Sequence, residues 1–217
     1  MLERYIYAVS LSDPGDEDPA VTRERLRERF PKGATRRMTQ LGLLVGAALE
    51  DLGPLADDAV VYATSYGESR ALEAYLDSFP TPSPTLFQTS IHPSAVQQAM
   101  ITRQRPVGEF FPLTGRGFLV AQAIQTAALS PAHRVLVCGG EERGTWLLER
   151  GVASKRTFAF ALALGAEPTG ALARISLEAV PDTTGEFSLL ALFEALSERQ
   201  NLERAIAPGV RLTLDWA

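Results

Sequence analysis

A helix predicted over residues 118–129 constrains the fold more than any other feature, because it is apolar on nearly every side. Only Gln122, Gln125 and Thr126 are polar in this stretch. A helix that is hydrophobic all round must be covered all round. One β-sheet covers one face, so either a second layer of the same domain or a partner subunit has to cover the other.

The segments around this helix predict a strand, a junction, the helix and a second strand. The first strand is predicted over 107–111, the junction over 112–117, and a buried strand over 135–138. Enzymes of the α/β class commonly place a nucleophile at such a junction, because the helix N-terminus favours developing negative charge. Here the junction offers Thr114 and neither cysteine nor serine.

The composition predicts a soluble protein in which residues 1–217 form one domain. The hydrophobic fraction is 46% and the charged fraction 22%, both ordinary values. A net charge of −5 argues against non-specific binding to nucleic acid or an anionic membrane. The single cysteine, Cys138, excludes an intramolecular disulfide and fits a reducing compartment. No signal peptide or membrane-length apolar run is evident, so we expect a cytoplasmic protein.

Apolar periodicity predicts strands and helices that alternate through the middle of the chain. The predicted strands cover 5–11, 59–64, 107–111, 135–138, 157–164, 171–180 and 210–216, and the predicted helices cover 21–30, 35–52, 68–79, 92–104, 118–129 and 187–199. This alternation predicts an α/β fold with helices layered on a mixed sheet, which we expect to have five strands.

A turn at 65–67 follows the predicted strand 59–64 and could form a ligand loop. Open α/β sheets bind ligands at the carboxyl ends of their strands, so Tyr66 and Glu68 are candidate binding residues. A tight turn is the alternative. The turn is not a phosphate loop, because the chain has neither GxGxxG nor GxxxxGK[ST].

Two glutamates follow the strand 135–138. Glu141 and Glu142 could act as an acid pair, or they could hydrogen-bond a turn or form a salt bridge with Arg116 or Arg143. Cys138 lies within the strand and is predicted to be a small core residue with an inert thiol.

The two histidines do not complete a recognisable site. With Cys138 they form no zinc-ligand pattern, and we predict no metal and no cofactor. His92 stands at a helix start, where a structural role competes with a catalytic one. Thr114 attacks only if a base removes its proton, and the alternative is a threonine that caps the helix. An acyltransferase or thioesterase that uses Thr114 or Ser90 with His92 therefore stays open as an alternative function.

The order of several short motifs resembles the N-terminal half of the β-ketoacyl synthase family, which has the thiolase-like fold. The matching segments are Arg36-Arg37-Met38-Thr39 at a helix start, 60–68 in a strand with its glycine turn, 87–95 before the nucleophile strand, Arg105-Pro106 at the entry to that strand, and 135–142 in a strand ending Gly-Gly-x-Glu. The resemblance covers residues 5–177.

Two departures from the family decide what the resemblance implies. The family reads Thr-Ala-Cys-x-x-Gly where this chain has residues 112–117, so Thr114 stands where the acyl-accepting cysteine is expected. The C-terminal half, which supplies two catalytic histidines, has no room here. The resemblance therefore implies a subunit that does not condense acyl groups alone. It is similar to the chain-length-factor subunits of aryl polyene and type II polyketide systems, which pair with a ketosynthase.

The same resemblance implies where this subunit meets its partner. The family dimerises through the strand corresponding to 107–111, which would put the apolar helix at a subunit interface. Phe110, Phe111 and Phe118 would line the interface or the acyl tunnel, and Thr114, Tyr66 and His92 complete the candidate substrate-binding residues. The implied partner is a ketosynthase in polyketide or fatty-acid-type synthesis, with an acyl carrier protein as a further partner. A homodimeric module that binds acyl groups or a carrier protein is the alternative.

Overall fold

The computed structural model describes residues 1–104 and 106–217, and Arg105, part of one matched motif, lies outside the described residues. The strands are β1 (Leu2–Gly15), β2 (Ala59–Thr64), β3 (Glu109–Thr114), β4 (Arg134–Glu141), β5 (Thr157–Gly165), β6 (Ala173–Ala179), β7 (Leu202–Ala207) and β8 (Val210–Trp216). The α-helices are α1 (Pro19–Leu26), α2 (Gln40–Asp51), α3 (Ser69–Asp77), α4 (Pro84–Ser90), α5 (Ser94–Arg103), α6 (Leu119–Leu129), α7 (Trp146–Glu149) and α8 (Leu189–Ser197). Within this described part, no helix combines the length and apolarity needed to cross a bilayer.

All of these strands belong to one mixed sheet in the order β3-β2-β4-β5-β1-β6-β8-β7. β2 pairs in parallel with β3 and β4, and the remaining pairs are antiparallel. The predicted α/β architecture is confirmed, but the predicted count of five strands is wrong. β6, β8 and β7 extend the sheet beyond β1, because residues 173–216 supply three further antiparallel strands.

The sheet separates two hydrophobic cores, and the alternation of side chains along β2 shows how. Val61 and Ala63 belong to the core that contains α6 and α8, whereas Val60 and Tyr62 belong to the core that contains α2 and α5. Every residue of β2 is therefore buried. A strand covered on both faces is expected to be a continuous apolar run rather than an alternating one.

The apolar helix α6 is enclosed by its own domain. It contacts β1, β2, β3, β4, β6, β7 and α8, so the curled sheet and the C-terminal helix cover most of its sides. Gln122, Gln125 and Leu129 are the members of α6 that remain exposed. The prediction that this helix packs at a subunit interface is therefore corrected, because residues after 172 provide the second layer that its burial requires.

The predicted and observed elements differ most where prolines and polar residues interrupt the apolar periodicity. Helix α4 lies between the predicted helices 68–79 and 92–104, where no helix was predicted: Ser83 caps it and Pro84 takes its first position, where a missing N–H is tolerated. Helix α2 begins later than predicted, because the Thr39 hydroxyl accepts a hydrogen bond from the N–H of Gly42 at 2.9 Å and acts as its cap. Strand β7 was not predicted.

Candidate functional site

A cavity of about 640 Å³ lies at the edge of the sheet where the parallel strands β2, β3 and β4 end. This is the edge at which open α/β sheets usually bind ligands. Its lining comes from the turn after β2, the junction before α6 and the start of that helix, the end of β4, α7 with the loop after it, and the start of α8: Ser65, Tyr66, Arg116, Gly117, Leu119, Glu141, Leu148, Gly151, Ala153, Ser154, Lys155, Glu186, Phe187, Ser188, Leu189 and Leu190. The structure thus brings the predicted candidate Tyr66 together with residues of the junction.

Arg116 and Tyr66 form one side of this cavity. The guanidinium of Arg116 lies 6.0 Å from the centroid of the Tyr66 ring, within the outer range of a cation–π contact. Arg116 also donates a hydrogen bond to the carbonyl of Gly151 at 3.0 Å. These contacts orient an exposed cation at a cavity whose lining also includes the exposed Lys155.

Glu141 has a structural task at the end of β4. Its carboxylate accepts hydrogen bonds from the backbone N–H groups of Ser65, at 2.5 Å, and Tyr66, at 3.2 Å, and from the Thr64 hydroxyl at 3.2 Å. Burial raises the pKa of Glu141 to about 7. The predicted salt bridge to Arg116 or Arg143 does not form, since Arg143 pairs with Asp16 and Arg116 with a backbone carbonyl.

Three further buried glutamates cap helices from other elements. Glu142 accepts a hydrogen bond from the N–H of Arg70 at the start of α3, at 3.0 Å, and Glu68 accepts one from the N–H of Ala95 at the start of α5. Glu73 accepts from two N–H groups around the start of α7, at 2.7 and 2.8 Å. None of these helices carries its own side-chain cap. Glu68, predicted as a ligand-loop candidate, is therefore a capping residue.

The sequence gives no local signal for this capping. An ordinary cap lies within a few residues of the N–H groups it satisfies, so it can be recognised from spacing. Glu142 and Glu73 lie more than seventy positions from their partners. The sequence predicts an acid pair, a hydrogen-bonded turn or a salt bridge for Glu142 but no helix cap, and it does not single out Glu73.

Thr114 does not cap a helix, contrary to the structural alternative predicted for it. It is the last residue of β3, it is exposed, and α6 begins only at Leu119. The residue at the strand-to-helix turn is Phe118, whose backbone is left-handed at φ 56° and ψ 23°. That conformation is unusual for a bulky side chain. Among the described residues, the Thr114 hydroxyl has no hydrogen-bonded base to activate it.

His92 is likewise not assembled with a nucleophile. Its ring stacks on Tyr62 with centroids 5.2 Å apart, and its two nitrogens are buried without hydrogen-bond partners in the described chain. Burial lowers the pKa of His92. The Ser90 hydroxyl donates instead to the carbonyl of Phe87 at 2.8 Å. The alternative of Ser90 or Thr114 acting with His92 therefore lacks the required hydrogen bond.

Phe110 and Phe111 lie on opposite faces of β3, at the edge of the sheet. Phe110 packs against the core with α2 and α5, and Phe111 packs against the core with α6. Both are half-buried. Phe118, also predicted to line the tunnel, is 40% exposed before α6, so the three aromatic side chains do not form one cluster around α6.

Three of the solved structures with a similar fold show how far the likeness extends. A chain of the complex between the ketosynthase ApeO and its chain length factor ApeC from Xenorhabdus doucetiae matches with a TM-score of 0.69 and 18% identity, covering 99% of this chain and 100% of that chain. The ishigamide ketosynthase/chain length factor gives 0.57 and 15%, covering 82% and 68%. The AntDE:AntF complex, a type II polyketide carrier protein with its ketosynthase, gives 0.50 and 12%, covering 84% and 71%.

These matches confirm the ketosynthase-like, thiolase-like fold that the sequence resemblance implied. No protein-family model and no curated protein matches the sequence. At these low identities the structural matches establish the fold and leave the activity to be argued from the residues themselves.

Proposed function

We propose that this chain is a non-catalytic, chain-length-factor-like subunit that pairs with a ketosynthase and shapes the acyl pocket of the pair. The observation that carries the proposal is the combination of a ketosynthase-like fold over almost the whole chain with a strand-to-helix junction that has no activated nucleophile. The pathway would be polyketide, aryl polyene or fatty-acid-type synthesis.

The only cysteine supports the non-catalytic part of this proposal. Cys138 lies inside β4 with no exposed surface, and burial raises the pKa of its thiol far above the ordinary value. The thiolate is the nucleophilic form of cysteine, so this thiol is inert. A subunit with this core cysteine and an unactivated Thr114 would depend on its partner for condensation.

Strand β3 supports pairing through the edge of the sheet. It is hydrogen-bonded to β2 on one side and stands at the end of the strand order, so its other side offers backbone groups to a partner strand. Pro112 lies in its middle, and proline in a sheet is confined to edge strands and irregular positions. Because Pro112 has no backbone N–H, β3 has fewer hydrogen-bond donors for a partner strand. Side-chain contacts next to β3 would therefore have to contribute to the affinity for the partner.

An uncharged segment before β3 could supply those contacts. Residues 78–102 contain no Asp, Glu, Lys or Arg, although 22% of the chain is charged. Four large apolar side chains in this segment are exposed: Phe79 at 54%, Phe87 at 48%, Ile91 at 45% and Ile101 at 74%. The cores of protein interfaces are depleted in charge and enriched in aromatic residues. This segment therefore has the composition expected of an interface with an obligate partner.

A basic groove beside α5 suits the acyl carrier protein that we propose as a further partner. The groove has a volume of about 950 Å³ and is lined by Lys32, Arg36 and Arg37 with four glutamines, while its lining residues include no carboxylate. These cations form no ion pair with the described carboxylates. In a chain of net charge −5, such a groove favours an acidic or phosphate-bearing partner.

Co-expression with the ketosynthase encoded nearest to this chain tests the proposal. We expect the two proteins to co-purify, and Phe87→Glu to weaken the complex because it buries a charge in the interface. Leu55→Glu is the matched control, because Leu55 is exposed at 60% and lies outside the uncharged segment. Phe110→Ala should change the product length.

Two outcomes would reject the pairing. The first is that the two proteins never co-purify, and the second is that Phe87→Glu has no more effect than Leu55→Glu while Phe110→Ala leaves the product unchanged. A stable dimer of the chain alone, together with failure to bind any ketosynthase, would favour the homodimeric alternative.

A further inference from the structure

Residues 144–153 form a compact loop whose two ends meet. The backbone N–H of Gly144 donates a hydrogen bond to the carbonyl of Ser154 at 3.3 Å, and a β-bridge joins Arg143 to Ser154. A Cβ atom at Gly144 would lie 2.5 Å from the Cβ of Ala153, so the two ends are in close contact. Surface loops of about 6–16 residues whose ends meet are Ω-loops, which are frequently functional. This segment has that geometry, and the contacts between its ends form a neck.

The loop has its own internal hydrogen bonds. Helix α7 lies within it, the N–H of Gly151 donates to the carbonyl of Leu148 at 3.0 Å, and the N–H of Val152 donates to the carbonyl of Leu147 at 3.0 Å. Gly151 has a left-handed φ of 70°, which lets the chain turn back after α7. Because these bonds lie inside the loop, they do not have to break when the loop moves.

The loop is attached to the rest of the domain mainly by polar contacts. Of the described residues that form or pack against the two hydrophobic cores, none comes from residues 144–153. Leu147 and Ala153 are buried, but they lie outside both cores. Segments with few buried apolar contacts open at a lower free energy than the core strands and helices. Release of the loop would therefore leave both cores intact.

Glu73 of α3 is the principal attachment of the loop. One carboxylate oxygen accepts hydrogen bonds from the N–H groups of Thr145, at 2.7 Å, and Leu147, at 2.8 Å, and the other accepts one from the Thr145 hydroxyl at 2.9 Å. Glu73 is 4% exposed, so these bonds form away from water. Arg116 adds a second attachment through its hydrogen bond to the carbonyl of Gly151. The loop is thus held to the domain largely by one buried carboxylate.

The loop contributes to two cavities. The cavity at the carboxyl edge of the sheet is lined by its residues Gly151 and Ala153, and a second cavity of about 570 Å³ is lined by Thr145 and Trp146. Leu148 lines both cavities. The end of β1 and the starts of α2, α3 and β5 complete the second cavity. Displacement of the loop would therefore join the two cavities.

We propose that residues 144–153 form a lid, latched by Glu73, which opens about its neck and joins the two cavities into one cleft. Lids turn on a few residues at the ends of the moving element, which is where the neck of this loop lies. The motion belongs to the chain alone and does not depend on a ketosynthase, because the loop lies outside β3 and outside the uncharged segment 78–102.

Labelling of an introduced thiol in the full-length chain measures the opening. Leu147 is 7% exposed, so in Leu147→Cys the new thiol should react only when the loop leaves α3. Cys138 is wholly buried within β4 and reports unfolding of the sheet in the same molecule. We expect the thiol at position 147 to react at least about 100-fold faster than Cys138, at a rate that changes little with urea below the unfolding transition.

Two comparisons test the latch and the extent of the motion. Glu73→Ala should speed labelling at position 147 by at least about ten-fold, because it removes three hydrogen bonds to the loop. Asp77→Asn is the matched control, since Asp77 is exposed on the same helix, and it should leave the rate unchanged. A bulky aromatic disulfide reagent should be excluded no more than methyl methanethiosulfonate, relative to their rates with free cysteine, because the open cleft admits both.

The proposal is overturned if the thiol at position 147 reacts only as fast as Cys138, if Glu73→Ala has no more effect than Asp77→Asn, or if the aromatic reagent alone is excluded. Hydrogen exchange of the unaltered chain provides the measurement if Leu147→Cys does not fold. The Leu147 amide, which is bonded to Glu73, should exchange faster than the amides of β4 and with little dependence on urea. Exchange of this amide only together with β4 would equally overturn the lid.

Discussion

The buried glutamates at the carboxyl edge of the sheet should make folding stability fall as the pH rises from about 4.5 to about 7. Burial raises the pKa of Glu68, Glu141 and Glu142 from 4.5 to about 7 in each case. Over this window the folded chain keeps protons that the unfolded chain releases. Stability decreases with pH wherever the unfolded state binds fewer protons, so all three groups act in the same direction.

Other titrating groups do not reverse this sign. The lowered pKa of His92 acts in the opposite direction, because it makes stability rise as the pH increases towards about 6.5, but it is a single group against three. Asp13 and Glu17 have pKa values lowered below 3.8 and 4.5 by Arg156 and Arg25, so their stabilisation is lost only below the window. The net expectation is a chain that is more stable at pH 5 than at pH 8.

The substitution Glu142→Gln isolates one of these groups. A rise from 4.5 to about 7 corresponds to roughly 3 kcal/mol per group, at about 1.4 kcal/mol per pKa unit. Glutamine keeps an acceptor oxygen for the N–H of Arg70 but cannot ionise, so it should raise stability at pH 8 by up to about this amount and flatten the pH dependence. Glu142→Ala should instead lower stability by about 1–3 kcal/mol at pH 5, where the carboxyl is protonated in the folded chain, because it leaves that N–H without an acceptor.

Urea unfolding at pH 5, 6, 7 and 8 measures these differences as shifts in the midpoint. Glu198→Gln is the matched control, because Glu198 is exposed at the end of α8, and it should leave the pH dependence as it is. The reasoning fails if the parent chain becomes more stable from pH 5 to pH 7, or if Glu142→Gln keeps the full pH dependence.

Two further predictions concern the core. Ile124→Ala in α6 should lower the free energy of unfolding by about 2–5 kcal/mol, because Ile124 is buried. Gln125 is exposed on the same helix, so Gln125→Ala should change the free energy of unfolding little. Equal effects of the two substitutions in chemical denaturation would contradict the enclosure of α6. Gly139→Ala should prevent folding or destabilise the chain severely, because the added Cβ would overlap the carbonyl oxygen of Ala63 on the paired strand β2. Normal expression and an unchanged melting temperature of Gly139→Ala would refute that packing.

Strands with clear boundaries could be predicted from the sequence, and those with weak patterns could not. β2 was predicted with its observed ends, because a wholly buried apolar run is bounded by Asp58 and by the turn at Ser65. β8 was also predicted correctly, since it follows Gly209, which adopts a left-handed φ of 71°. β7 stands at the other edge of the sheet, where Glu203 and Arg204 face solvent, so little of its sequence shows burial.

The site was harder to predict than the fold, because its geometry depends on residues that are distant in the chain. The turn at Tyr66 and the junction near Arg116 were recognised separately, but their contact and the wall from residues 186–190 arise only when β2, α6 and α8 meet. A hydrogen-bonded turn was one predicted alternative for Glu141, and the folded chain shows that the turn its oxygens hold is the one after β2.

The junction before α6 illustrates why a motif can keep its shape without its chemistry. β3 extends to Thr114, so the left-handed residue at the turn is Phe118, four positions further on. Such a backbone costs a bulky residue about 1–3 kcal/mol and persists only where surrounding structure imposes it. Leu119 and Val120, the first residues of α6, are buried directly after the turn and hold the start of the helix against the core. Phenylalanine has no nucleophilic atom, so the side chain at this strained turn supplies shape and apolar surface, which fits the proposed subunit that relies on a catalytic partner.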